Sequence, residues 1–244
     1  MPRQGGLTGE ICCHIFGILD EDAEDLREGT ILLNLRTDGT LPSIRGKPVG
    51  AVLGAAFAFA CMLSTSAIAQ QGQFVAKPLV EKKVNELPNG DLYWRIDTFA
   101  SRGLAEQAAG PFSLVAETLG KTWMFTLDRA GENAPGGTKI AEIGPIARIS
   151  AKEYLLRVNE AGGPEGSATA VHTHPGSEAF YVISGELTQK TPHGITKAAT
   201  GQGVVGHGAD TPMVVSNSGS GDLREFALFV VDASRPFNSP AKMD

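Results

Sequence analysis

From Gly163 onward, short runs of β-forming residues alternate with turn signals: GGPEGS, TAVHTHP, SEAFYVISGELTQK, TPHG, ITKAATGQGVV, GHGAD, TPMVVSN, SGSGD and REFALFVVD follow in succession. Glycine, proline, asparagine and aspartate punctuate the runs because they tolerate or enforce the backbone angles of tight turns. Several short strands so punctuated build an antiparallel sandwich or barrel. The 30 glycines, the 14 prolines and an aromatic content of only 7% point the same way.

Upstream, DLYWRIDTF (91–99), FSLVAETLGKTWMFTL (112–127), IAEIGPIARIS (140–150) and EYLLRVNEAGG (153–163) read as further strands. A short helix is expected around residues 104–109 and a loop over residues 128–139. Residues 70–90 are mixed and polar, end in the turn signal Pro88-Asn89-Gly90, and read as an extension that leads in. The expected organisation is a strand-rich extension over 70–140 that packs on a barrel over 141–236, followed by a tail over 237–244.

Residues 45–69 carry the three parts of a secretory signal: basic Arg45 and Lys47, an apolar stretch over 49–63, and the small-residue end Ala67-Ile68-Ala69. The apolar stretch is 15 residues long, whereas a stable bilayer span needs about 20. Cleavage near Ala69 is therefore expected, with a periplasmic or secreted product that keeps no stable membrane span. Residues 1–44 precede the signal and include DEDAEDLREG and Cys12-Cys13-His14; they are expected to be disordered, over-extended sequence upstream of the true start. All three cysteines, Cys12, Cys13 and Cys61, precede the cut, so the mature protein is expected to have no thiol.

The net charge of −6 is unevenly spread: residues 1–44 hold eight acidic residues against Arg3, Arg27 and Arg36, whereas residues 70–244 hold 19 acidic against 16 basic and so carry only −3. No basic run with interleaved aromatics occurs. That excludes nucleic acid as an expected partner and gives no support to an anionic membrane surface. A small molecule is the expected ligand or substrate.

In VHTHP, His172 and His174 are one residue apart, and a strand's period of two puts both imidazoles on one face. Pro175-Gly176-Ser177 supplies a turn, after which Glu178 opens the next strand and can bring its carboxylate to the same point. Two imidazoles and one carboxylate suit a divalent iron, manganese, nickel or zinc ion and leave coordination positions open. By the same periodicity Phe180 and Val182 share the face of Glu178, which makes the adjoining pocket partly apolar, and Phe226, Leu228 and Val230 form another apolar face. No lysine or arginine adjoins these motifs in sequence to clamp an anionic substrate.

The spacing Gly166, five residues, His172, one residue, His174, three residues, Glu178, six residues, Gly185 matches without a gap the first motif of the cupin superfamily, which residues 145–234 resemble. The resemblance implies an all-β, jelly-roll-like double-stranded β-helix barrel with a metal inside, and commonly a homodimer formed through edge strands. The family's second motif ends in a histidine ligand followed four places later by asparagine. Here Asn217 lies four residues after Met213, so methionine holds the ligand position. A thioether is a poor ligand for these metals, and Met213 is expected to act as a flexible apolar wall instead. His207, six residues earlier, is the candidate replacement ligand.

Three readings follow. In the first, the metal activates a small molecule in an oxygenase, isomerase, lyase or hydrolase type of reaction, with Glu178 also able to serve as a base. In the second, the barrel binds a metal or small molecule without turnover, which the loss of a ligand at Met213 favours. In the third, His172, His174 and Glu178 are structural, which is the costliest, because buried polar groups need partners.

Overall fold

The computed structural model describes residues 72–243. The expectations for the upstream segment 1–44 and the signal 45–69 fall outside the described residues. The strands are β1 (Val75–Val84), β2 (Leu92–Phe99), β3 (Ser113–Thr118), β4 (Lys121–Asp128), β5 (Thr138–Ile146), β6 (Tyr154–Gly163), β7 (His172–Thr173) and β8 (Gly176–Ser184). They continue with β9 (Glu186–Thr191), β10 (Gly194–Ala199), β11 (Gly203–Val205), β12 (Val214–Asn217), β13 (Leu223–Asp232) and β14 (Ser239–Pro240). One helix, α1 (Arg102–Ala108), separates β2 from β3, and its N-cap Ser101 accepts from the Leu104 backbone N–H.

A five-stranded sheet has the order β1-β6-β13-β8-β11, and a facing sheet has the order β10-β9-β12. The second sheet is extended by bridges from Ala168 to Ser216 and from His172 to Met213, and β7 in turn pairs with β14. After β8 the chain crosses to β9 and β10, returns to β11, crosses to β12 and returns to β13. This alternation between two facing antiparallel sheets is the winding of a double-stranded β-helix. Among the described residues no single ladder of hydrogen bonds joins the two sheets into a closed barrel.

A third sheet, β3-β4-β2-β5, covers the outer face of the five-stranded sheet. The run FSLVAETLGKTWMFTL folds back on itself as a hairpin, because Leu119 and Gly120 both adopt positive φ, 54° and 68°. Residues 75–84, read from the sequence as a polar lead-in, are instead the edge strand β1 on β6. Edge position reconciles the two: half of the backbone groups face outward, so the bulge beside Pro78 costs no ladder bond to a second neighbour.

Side chains divide by parity across the five-stranded sheet. Phe180, Val182, Ala227, Phe229 and Val231 join Leu187, Ala198 and Val215 of the facing sheet in the interior cluster. Ala179, Tyr181, Phe226, Leu228 and Val230 point the other way, onto Trp94, Trp123 and Phe125 of the third sheet. The period-two reading of Phe180 and Val182 therefore agrees with this arrangement, and Phe226, Leu228 and Val230 do form another apolar face, which is turned onto the third sheet and away from the pocket. Register decides it: Phe229, rather than Leu228 or Val230, sits opposite Glu178 in the β13–β8 ladder.

Candidate functional site

The segment from Ala170 to Glu178 is pinned before any side chain acts. The His172 N–H donates to the Met213 carbonyl at 3.1 Å, the Met213 N–H donates back at 2.9 Å, and the Asp210 N–H donates to the His174 carbonyl at 2.8 Å. The two glycines that bracket the motif both lie in the left-handed region, Gly166 at φ 74° and Gly185 at φ 83°, which a side chain would strain. Their spacing to the histidines is thus a backbone requirement.

Each imidazole is oriented by a backbone carbonyl. His172 Nδ1 lies 2.8 Å from the Ala170 oxygen, and His174 Nδ1 lies 2.7 Å from the Phe237 oxygen. A carbonyl can only accept, so Nδ1 carries the proton and, in the neutral ring, Nε2 keeps its lone pair. The rings are 4.9 Å apart, centroid to centroid. His174 is also wedged between Phe229 and Phe237, at 4.7 Å and 4.8 Å. Burial, with smaller contributions from His172 and Arg157, pushes its pKa down to about 4, so it is neutral at physiological pH.

Glu178 is 2% exposed, and its Oε2 lies 3.9 Å from His174 Nε2. Gln189 of β9 donates to its Oε1 and also approaches the Met213 sulfur at 3.5 Å. Burial pushes Glu178 up to about 8, against which the Gln189 bond works. Gly206 lies so close that a Cβ there would run into Glu178 Cγ. The carboxyl is therefore held from two sides.

These groups open onto a cavity of about 180 Å³ whose walls include His172, His174, Glu178, Phe180, Phe229 and Phe237. Among the pocket residues expected from the sequence, Phe180 lines the cavity, whereas Val182 and Met213 are buried behind its walls. His207 is turned elsewhere: its Nε2 lies 3.2 Å from Thr191 Oγ1, and its ring is 5.5 Å from that of His193. Burial and the neighbouring His193 hold the His207 pKa below its usual value.

Four residues went unnoticed in the sequence. Glu225 of β13 is 1% exposed, lines the cavity and has an Oε2 with no hydrogen-bond partner among the described residues. Its signal was the one charge among the residues of β13 that share the parity of Ala227 and Phe229, the strand's other charges, Arg224 and Asp232, having the opposite parity. Gln189 and Phe237 reach the site only through long-range contacts, which nothing in the local sequence announces. Arg157 of β6 lies behind the site rather than in the cavity lining: its guanidinium lies over the Phe237 ring, 4.2 Å from the centroid, and its Nε donates to Asn159 Oδ1 at 2.9 Å.

Among the described residues no three His, Cys, Asp or Glu side chains are gathered tightly enough to hold an ion as they stand. The chemistry of the donors nonetheless fits a cation. Two imidazoles with fixed Nδ1–H tautomers and a carboxyl group buried beside them, with no positive partner among the described residues, form a donor set that gains from positive charge.

Several solved structures are similar to part of the chain. They include DMSP lyase DddQ from Ruegeria pomeroyi, at 17% identity over 35% of this chain and 43% of that one with a TM-score of 0.31. A cupin superfamily protein from Desulfitobacterium hafniense matches at 9% identity over 35% and 72% of the two chains with a TM-score of 0.29. An uncharacterized conserved protein with a double-stranded β-helix domain from Klebsiella pneumoniae matches at 24% identity over 36% and 75% with a TM-score of 0.31. The chain spans less than half the length of the DMSP lyases it matches. No family model matches the sequence, and no curated protein matches it.

Proposed function

We propose that the chain is an exported cupin that holds one divalent metal ion on His172, His174 and Glu178 and acts on a small molecule in the adjoining cavity. The observation that carries this reading is the pair of carbonyl-locked imidazoles beside Glu178, a carboxyl buried with no cationic partner among the described residues. A neutral His174 needs no deprotonation to donate Nε2, and a cation would compensate the desolvation that holds Glu178 at about 8. Iron, manganese, nickel or zinc suits these donors. Such an ion, when bound, polarises a substrate oxygen or activates water or dioxygen. The chain's own part is to orient the donors and to keep water out with Phe180, Phe229 and Phe237. The cavity size favours a substrate below the drug-sized range, for which pockets run from about 300 Å³ upward.

A second reading, a binding protein without turnover, is favoured by Met213. It occupies the position of the family's remaining ligand, is 1% exposed, and meets Gln189 rather than the cavity. The signal-like residues 45–69 support export, with cleavage near Ala69 and a periplasmic or secreted product.

Elemental mass spectrometry on protein purified without chelators or a histidine tag tests the metal. About one equivalent in the wild type, lost in His174→Ala, supports the site. Absence of metal from both proteins after reconstitution with each candidate ion removes it. Substrate turnover by the loaded protein then separates the enzyme from the binder.

A further inference from the structure

The cavity has two ends, and only one of them carries the proposed metal donors His172, His174 and Glu178. In the β13 ladder, Phe229 stands opposite Glu178 on β8 and Arg157 on β6. Glu225 stands four residues away along the same strand, opposite Val182 and Ala161. Four residues of strand span about 13 Å. Between them is Ala227, opposite Phe180 and Asn159, and its methyl group leaves the middle of the cavity open.

The far end is built from Ala76 of β1, which pairs with Ala161, and from Phe74, which immediately precedes that strand; both line the cavity. The residues there are small or aromatic, and Glu225 is the one ionisable group among them. Its Oε2 has no partner among the described residues. Among the same residues no lysine or arginine lines the cavity. Arg157, which approaches the site from behind Phe237, lies over the Phe237 ring, is bonded to Asn159 and is 3.6 Å from Glu81.

We propose that Glu225, with Phe74 at its side and Phe180 between it and Glu178, forms a subsite for a small organic cation, an amine or quaternary ammonium group, at the opposite end of the cavity from His172 and His174. An acidic oxygen buried without a partner is costly, and a cation with apolar substituents would offset that cost while its methyl or methylene groups pack on the rings. A molecule with a cationic group at one end and an oxygen donor at the other would span from Glu225 to the metal donors. The inference deepens the small-molecule reading and rests on it for the cavity, not for the metal.

The probes are choline and its neutral carbon analogue, in which carbon replaces nitrogen, titrated calorimetrically into the full-length protein with metal content measured on the same samples. The wild type is expected to prefer choline by about tenfold or more. Glu225→Gln is expected to lose that preference while keeping the wild-type metal content and a single cooperative melting transition, and Ala227→Leu, which fills the middle of the cavity, to lose both ligands. Equal binding of the two probes, no binding of choline, or choline binding that survives Ala227→Leu would overturn the proposal. So would loss of metal from Glu225→Gln, which would make Glu225 a metal ligand. A choline preference in a protein that binds no metal would sustain the cation subsite and remove the metal reading instead.

Discussion

Glu178 and Glu225 govern how the metal-free protein responds to pH. Burial raises both carboxyls from an ordinary 4.5 to about 8, and Glu178 adds to the shift of Glu225. Between those values the folded state holds more protons than the unfolded chain, so stability is full below about 4.5 and is lost as pH rises through about 8. The loss is on the order of a few kcal/mol for each carboxyl. Thermal melts of metal-free protein should therefore fall steadily from pH 5 to pH 9, and Glu225→Gln should flatten that slope and be the more stable protein at the alkaline end. A flat wild-type profile would contradict the burial argument. Gly206→Ala should act through Glu178 alone: its Cβ would meet Glu178 Cγ, costing about 1–3 kcal/mol of stability and part of the metal content. The histidines and Glu178 were legible because a period of two and a turn suffice to group them. Glu225 was legible only as a parity anomaly, and its place opposite Val182 depends on a ladder that joins segments far apart in the chain.

Among the elements, the C-terminal strap departs most from what its sequence suggests. Residues 237–244 read as a tail, yet the Phe237 carbonyl orients His174, the Phe237 ring packs tilted against His174 and edge-on against Phe229, and β14 pairs with β7. Local composition could not reveal this, because RPFNSP has no strand periodicity and its partner lies over 60 residues earlier in the sequence. Truncation that removes residues 236–244 should weaken metal retention by about 10–100-fold, the usual cost of losing a histidine's orienting partner. Competition with a chelator measures it, and an unchanged affinity would show that the strap does not position His174. Arg235→Ala makes the contrast. Arg235 pairs with Asp210 through two contacts of 3.0 Å and 2.6 Å, but both side chains are exposed, and exposed pairs contribute little. That variant should retain metal like the wild type.

At the scale of the whole described unit, the five-stranded sheet separates two cores with different duties. Its inner face carries the cavity, and its outer face joins the third sheet through Phe226, which is fully buried and meets Trp123 and Phe125 edge-on at 5.0 Å each. The third sheet was legible as strands, since each run is rich in β-formers. That it packs on the barrel was expected, but the face of β13 it covers was not legible, because either parity of β13 is largely apolar and only the register with β8 selects one. Phe226→Ala should cost about 3–5 kcal/mol, as truncation of a buried phenylalanine does, yet leave the metal content per folded molecule unchanged. The chain's two tryptophans, Trp94 and Trp123, both belong to the third sheet, so their fluorescence reports that layer, while release of the proposed metal would report the cavity. Because the two layers share Phe226 and its neighbours, both signals should change in one transition, and Phe226→Ala should lower both midpoints together. Tryptophan fluorescence that changes well before the metal is released would instead mean that the third sheet unfolds as a unit of its own, and that the site draws no stability from it.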